Sequence, residues 1–201
     1  MAQLPMPTSI DEMKAWLEAR LSPHRYQHSL GVADTARDLA VRHGADPERA
    51  AVAGLLHDAA REWRPPQLFE AAEAVGLPVT YLEEMAPMPC LHGPLGADLV
   101  RRELAVLDEE MLEAIANHTI GRERMGLLER VVFLADAIEP NRPELPYILE
   151  LRELALKDLN LACRRAYDHT FDYLLRTGQP IHPVAAAGRN WLLHCEKKEN
   201  R

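Results

Sequence analysis

The sequence predicts an all-α fold, a single-domain helical bundle. Apolar residues recur at helical spacing through most of the 201 residues, alternating runs are few, and aromatic residues make up only 5%. Helix starts (Ser or Asp before Pro, or before an acid three residues on) and glycine stops punctuate the chain. No repeat, low-complexity tract or interdomain linker interrupts this pattern. One domain is therefore expected over residues 1–201, with a core at about 23–142 and C-terminal helices at 148–196 packed on it.

Each element has a local reason. In Ser9-Ile10-Asp11-Glu12 the Ser9 hydroxyl can accept from the amide three residues on while Glu12 reaches back, a capping box that starts a helix running to about Leu21. Ser22-Pro23 restarts helix, with Ser as cap and Pro at the first position, where no amide is needed. That helix runs to His43 and stops at Gly44. Asp46-Pro47 repeats the signal for a third helix over Glu48–Arg61, whose interior is apolar nearly all round and is expected to be the most buried. Pro65-Pro66 opens a fourth, ending at Gly76. Leu77 to Pro89, rich in Pro and Met, is expected to wind over the surface. A fifth helix opens at His92-Gly93-Pro94 and runs to about Leu104. Asp108 caps a sixth, Glu109 to about His118. A seventh spans Leu127–Ile138 and is stopped by Glu139-Pro140-Asn141-Arg142-Pro143. Helix returns from Ile148 to Thr177 with a break near Lys157, and a last helix covers Ala185–Glu196.

Composition narrows the function. Hydrophobic residues make up 47% and charged residues 27%, as in ordinary soluble domains. A net charge of −8 argues against general nucleic-acid binding through a basic surface. A negatively charged substrate would need local cations or metal. Cys90, Cys163 and Cys195 are scattered and odd in number, which reads as reduced thiols in a cytoplasmic protein. Met1 to Ser9 shows no basic segment followed by an apolar stretch, so no secretion signal is expected. No apolar run is long enough for a bilayer.

Six residues stand out: His28, His57, Asp58, His92, His118 and Asp136. Each lies inside or at the lip of an apolar helix, where a lone polar side chain needs a partner. Asp136 follows Val131-Val132-Phe133-Leu134-Ala135, where an ionised carboxylate costs roughly several kcal/mol unless paired or metal-bound. His57 and Asp58 are adjacent, so an imidazole nitrogen and a carboxylate oxygen can reach one ion while the second oxygen reaches another. A single histidine on an apolar helix is as readily a satisfied core residue as a ligand. Four histidines and two aspartates, on different helices apart from the adjacent pair, are what a two-metal site in a bundle requires. Imidazole and carboxylate together suit iron, manganese, zinc or nickel.

The order His…His-Asp…His…His…Asp resembles the metal-binding HD-domain superfamily of phosphohydrolases, and within it the YqeK-like bacterial symmetrical diadenosine tetraphosphate hydrolases. The match is carried by Arg25 to Val32, Gly54 to Arg61 and Leu91 to Ala97. Its most specific part is His118-Thr119-Ile120-Gly121-Arg122 through Met125, followed by Leu134-Ala135-Asp136-Ala137-Ile138-Glu139-Pro140-Asn141-Arg142. Gly178 to Pro183 and Ala187 to Asn190 add to it. The resemblance implies a di-iron site, with His28, His57, Asp58 and Asp136 on one ion, His92 and His118 on the other, and Asp58 bridging. It also implies hydrolysis of a dinucleoside polyphosphate. Two metals roughly 3.5–4 Å apart can share a hydroxide. In-line attack by that hydroxide on an inner phosphorus would leave two nucleoside diphosphates. Asp58 and Arg61 are the catalytic candidates. Arg61 departs from the pattern, since the branch usually has lysine there, and Ala59 replaces an aromatic. A guanidinium is a planar fork rather than a point charge.

Candidate phosphate ligands are Arg25, Arg61, Arg122, Asn141 and Arg142. Arg142 is favoured because Pro140 and Pro143 fix the backbone beside it; its structural alternative is a pair with Glu139 or Glu144. Arg189 and Asn190 are weaker candidates for the pocket mouth. His24, His43 and His169 read as surface residues, His182 as part of a turn, and Trp63 as a residue that could line a nucleotide pocket. Competing readings are another HD-domain nucleotidase or phosphodiesterase, or a nucleotide sensor that binds without turnover. No nucleic acid or membrane partner is expected, and a homodimer stays open.

Overall fold

The computed structural model describes the chain from Ser9 to Glu199, the last residue by its backbone alone. Met1 to Thr8, where no secretion signal is expected, and both extreme ends of the expected domain lie outside the described residues. Among the described residues there are eleven α-helices and no strand: α1 (Ile10–Glu18), α2 (Pro23–His43), α3 (Pro47–Leu56), α4 (Pro65–Val75), α5 (Tyr81–Met85), α6 (Pro87–Leu104), α7 (Glu109–Asn117), α8 (Leu127–Ile138), α9 (Pro146–Ala155), α10 (Leu159–Thr177) and α11 (Pro183–Glu199).

Most start and stop signals act as read. The Ser9–Glu12 box is reciprocal, with Ser9 N–H donating to Glu12 at 2.8 Å and Glu12 N–H donating to Ser9 Oγ at 3.3 Å. Gly44, Gly76 and Gly178 end their helices in the left-handed conformation. The break near Lys157 is real, because Asp158 accepts from Leu161 N–H at 2.9 Å and starts α10 afresh.

Three expectations are corrected. Ser22 does not cap α2 with its side chain; its amide and its hydroxyl both donate to Glu62, which ties the start of α2 to the chain beyond α3. The segment expected to wind over the surface does lie there, with none of its residues buried, but it contains a helix, α5, started by a Thr80–Glu83 box in which Thr80 N–H donates to Glu83 at 2.7 Å. Finally, α6 begins at Pro87 rather than His92, and Pro94 lies inside it. Pro87 and Pro89 fill the first turn, where their missing amides cost nothing. His92 is therefore anchored mid-helix.

Helix α3 packs against α1, α2, α7 and α8, and α8 also meets α9 and α10. Leu55, Leu56, Val131, Val132 and Leu134 are at most 1% exposed in this shared core. Each such side chain stabilises the fold by about 1.5–3 kcal/mol relative to exposure. A Cβ on Gly54 would stand 3.0 Å from Val32 O and 3.2 Å from Ala33 Cα, so the bare glycine lets α3 approach α2 closely. Helix α6 packs between α4, α5 and α7, and α9–α11 form a layer joined to α8 mainly through α9 and α10. No described helix is long and apolar enough to cross a membrane.

Candidate metal centre

Two helices end where the chemistry begins. Helix α3 stops at Leu56 rather than Arg61, and His57 to Glu62 continue as turns. The His57 imidazole explains the stop, because its Nδ1 lies 2.7 Å from Gly54 O, the carbonyl that the next helical amide would use. His118 caps α7 in the same way, with Nδ1 2.7 Å from Ile115 O. His92 Nδ1 lies 2.5 Å from Met88 O, and His28 Nδ1 lies 3.1 Å from Glu139 Oε1. Carbonyl and carboxylate oxygens only accept, so each Nδ1 carries the proton and each Nε2 presents its lone pair.

Those four Nε2 atoms converge. The rings follow one another edge-on in the order His28, His57, His118, His92, with centroids 5.2, 4.8 and 4.8 Å apart. His92 Nε2 and His118 Nε2 stand 3.0 Å apart, two lone pairs face to face. Thr119 Oγ1 lies 2.8 Å from His118 Nε2 and 3.3 Å from His92 Nε2, but one hydroxyl proton can satisfy only one nitrogen. His28 Nε2 and His57 Nε2 are buried with no hydrogen-bond partner, although Asp136 Oδ1 is only 3.0 Å from the former. Lone pairs converging on one space with no donor to meet them are what divalent cations would satisfy.

The carboxylates divide this space. Asp58 Oδ2 lies 3.4 Å from His57 Nε2 and 3.8 Å from His28 Nε2, while Oδ1 lies 3.3 Å from His92 Nε2 and 3.7 Å from His118 Nε2. Asp136 Oδ1 lies 3.0 Å from His28 Nε2 and 3.9 Å from His57 Nε2. Donor atoms of His28, His57 and Asp136 all fall within 4.8 Å of one another, as do those of His57, Asp58 and His118. His57 thus stands between two donor groups, and Asp58 shows one oxygen to each side.

Burial opposes charge on Asp58 and Asp136, but neighbouring imidazoles outweigh it, and Arg142 adds to the effect at Asp136. Both carboxyls titrate well below the usual carboxylate range. Burial, reinforced by His57 and His92, pulls His118 down to about 3, so its ring is neutral at pH 7. His57 is raised, since the pull of Asp58 overcomes the cost of burial. Ionised Asp58 and Asp136 and neutral His118 are in the forms a divalent ion needs, and an ion bound at His57 would replace the proton that Asp58 favours there.

Three arginines surround the cluster. Arg142 grips Asp136 twice, Nε to its carbonyl at 2.9 Å and Nη2 to Oδ1 at 2.6 Å, rather than pairing with Glu139 or Glu144. Arg25 Nη1 is 3.2 Å from Asp58 Oδ2, and Arg61 Nε is 3.9 Å from Asp58 Oδ1. The other two phosphate candidates lie apart. Arg122 is held by Glu113 and buried Glu129 through contacts of 2.7–2.9 Å. Asn141 donates its amide to Glu139 at 2.7 Å and lies over Gly31 of α2. Arg189 binds Asp168 at 2.8 Å. Trp63 packs beside Leu68 and Leu91.

A cavity of about 560 Å³ opens from His118, Thr119, Asp136 and Arg142 and runs among α5, α8, α9, α10 and the start of α11. Its walls include Ile120, Phe133, Ile148 and Phe171. His169, expected at the surface, lines it with its ring 5.2 Å from Tyr147 and tilted 39° to it and its Nε2 3.1 Å from Glu150, and His182 joins the wall 3.3 Å from Glu83. Glu139 was read from the sequence as part of a helix stop and as a possible partner of Arg142, yet it is 1% exposed and orients His28. The signal available was its position one turn beyond Asp136.

Residues 25–141 match the model of the HD domain. The chain is 39% identical over 183 residues to the symmetrical bis(5'-nucleosyl)-tetraphosphatase of Bacillus subtilis, covering 91% of this chain and 97% of that one. It is 40% identical over 186 residues to the protein of the same name from Halalkalibacterium halodurans, covering 90% and 95%. A crystal structure described as a predicted HD superfamily hydrolase involved in NAD metabolism, from Clostridium acetobutylicum, superposes with a TM-score of 0.90 at 35% identity over 94% of this chain and 99% of that one. With its His-Asp pair at the centre of the histidine cluster, this chain belongs to the HD domain family.

Proposed function

We propose that the chain hydrolyses dinucleoside tetraphosphates, diadenosine tetraphosphate in the first place, at the central phosphoanhydride to give two nucleoside diphosphates. The observation that carries this reading is Asp58, whose two oxygens face different histidine pairs, beside His118 and Asp136, which border a cavity of about 560 Å³. The names of the relatives point to the same reaction. The ligands are His28, His57, Asp58 and Asp136 on one side and His92, His118 and Asp58 on the other, and the ions are two divalent metals, iron first. Such ions, when bound, lower the pKa of coordinated water towards neutrality and offset charge on the phosphates.

The protein's own groups do the rest. Asp58 and Asp136 stay ionised and hold their geometry. Arg142 fixes Asp136 and borders the cavity, where its fork can also meet a phosphate oxygen. Arg25 and Arg61 supply the local positive charge that a chain of net charge −8 must bring to a polyphosphate. A nucleoside diphosphate leaves readily, so positioning and charge stabilisation carry the rate. The three free cysteines accord with a cytoplasmic setting.

Metal analysis of purified protein, joined to product identification with diadenosine tetraphosphate, tests this. Two ions per chain and adenosine diphosphate as sole nucleotide product are expected. Adenosine mono- plus triphosphate would refute the symmetrical cut.

A further inference from the structure

We infer that Glu129 of α8 is a positioning residue: a buried carboxylate that fixes the connection between α7 and α8 and, through it, sets His118 against Asp136. This inference rests on the ligand roles proposed above for those two residues.

The connection, residues 118–126, brings His118 and Thr119 to the cluster, yet its own backbone does little to hold it. Helix α7 has ended at Asn117, and the chain then turns through left-handed backbone at Gly121 (φ 64°) and again at Arg124 (φ 60°). Only the first of these suits its residue, because a Cβ crowds the left-handed conformation. Glu129 supplies the support. It is 3% exposed, and its two oxygens collect four N–H donors. Asn117 Nδ2 and Arg122 Nε donate to Oε1 at 2.9 and 2.7 Å. Arg122 Nη2 and Gly126 N–H donate to Oε2, both at 2.7 Å. The start, middle and end of the connection are thereby tied to one carboxylate. Glu129 and Asp136 both belong to α8, about two turns apart and so on one face of it. One rigid helix therefore holds the connection that bears His118 at one point and presents Asp136 at the other.

A second support is weaker. Tyr167 of α10 donates its hydroxyl to Ile120 O at 3.3 Å, a neutral contact beyond the usual O–H···O range. The contacts to Glu129 are shorter and charge-assisted, so they dominate. Glutamine in place of Glu129 has nearly the same shape but turns one oxygen into an NH2 donor. Each oxygen meets two donors, so the amide must face a pair of N–H groups whichever way it turns. Either Asn117 and Arg122 Nε lose their acceptor, or Arg122 Nη2 and Gly126 do. Asn117 and Arg122 each keep a contact to Glu113, at 3.0 and 2.9 Å, so the connection loosens without being released.

Calorimetric titration with manganese(II) tests this on the unaltered protein, on Glu129→Gln and on Asn117→Ala, which removes only the tie beside His118. The unaltered protein is expected to bind two ions. Both variants should lose about tenfold in affinity for one ion, the lower end of the losses seen when a ligand's outer support is removed, and keep the other constant. Turnover of diadenosine tetraphosphate should fall with that ion and return when manganese(II) exceeds the weakened constant, a rescue that a role confined to folding does not give. Glu103→Gln, which breaks the 2.7 Å pair with Arg20 away from this connection, is the control and should leave both constants unchanged. Both constants intact in either test variant, equal losses for both ions, or the same loss in the control would overturn the inference. If Glu129→Gln does not fold, Asn117→Ala decides alone. If the unaltered protein binds fewer than two ions, the proposed centre itself fails and the inference fails with it.

Discussion

Replacing Gly93 with alanine tests the packing that brings His92 to His118. A Cβ on Gly93 would stand 2.5 Å from Ala116 O, 3.2 Å from Ala116 C and 3.3 Å from Ile115 O. Every one of these atoms is α7 backbone, which cannot swing aside as a side chain can. Restoring ordinary contact at 3.4 Å requires α6 and α7 to separate locally by about 0.9 Å. Overpacking of this kind costs about 1–3 kcal/mol. The intrinsic gain of alanine over glycine in a helix offsets roughly 0.5–1 kcal/mol of that. For a chain of this size each kcal/mol moves the melting temperature by roughly 2–4 °C, so a fall of up to about 10 °C is expected. The consequence for metal is larger, because ligand distances tolerate only about 0.2 Å and the His92–His118 spacing of 3.0 Å would open. Thermal melts by circular dichroism and calorimetric titration with manganese(II) measure both effects, with at least a tenfold loss of affinity at the weaker site. Gly96→Ala is the internal control. Its Cβ would meet nothing closer than 3.6 Å, and it should melt at or slightly above the parent temperature with metal binding intact. If Gly93→Ala behaves like Gly96→Ala, helix proximity does not set the geometry of this site and the reasoning is wrong.

Further predictions concern the ligands and their supports. Asp58→Ala removes the carboxylate that faces both histidine pairs, so metal retention and turnover should both disappear; full activity would sink the two-metal reading. Glu139→Gln places an amide where a carboxylate accepts from His28 Nδ1 and from the Asn141 amide. Loss of such an outer partner typically costs about 10–100-fold in metal affinity or activity, and elemental analysis after dialysis would detect it. Acid stability of the metal-free chain has a definite sign at His118. Its folded value of about 3 lies below an unfolded value of roughly 6.5, so the unfolded chain binds the proton first. Stability from this residue is therefore present above about 6.5 and lost as pH falls towards 3. Melts of the stripped protein at about pH 7.5 and about pH 5 should show the decline, and His118→Gln should flatten it.

In the proposed function, the cations that meet a polyphosphate lie close to the cluster. Elsewhere on this chain of net charge −8, arginines are engaged by acids, as in Arg101–Glu109 and Arg49–Asp108. Arg25 and Arg61 instead direct their charge at Asp58, where occupied ligands would leave the guanidiniums available to phosphate. Burial lowers the Arg61 pKa somewhat, which marks a charge held in a poorly solvated position.

Much of this was legible in the residues themselves. Capping signals are local, so Ser9-Ile10-Asp11-Glu12, Asp46-Pro47 and Asp108 announce their helices from a few neighbouring side chains. The same locality explains the errors. Pro94 looks like a helix start because proline favours that position, yet Pro87 and Pro89 had already taken it. The His57 and His118 rings end their own helices by competing for a backbone carbonyl, an outcome that depends on rotamers no linear pattern specifies.

The sequence by itself determined an all-helical chain carrying four histidines and two aspartates where apolar neighbours deny them water. Tertiary structure alone decided what those residues share. It turned each Nδ1 to an oxygen acceptor, set two lone pairs 3.0 Å apart at His92 and His118, and split the two oxygens of Asp58 between histidine pairs. It also moved Arg122 into a pair with Glu129 and brought Glu139 onto His28. The physical reason is range. Propensity and capping act over one helical turn, whereas ligand convergence depends on the distance between helix axes, which glycine positions and close packing across the whole core set.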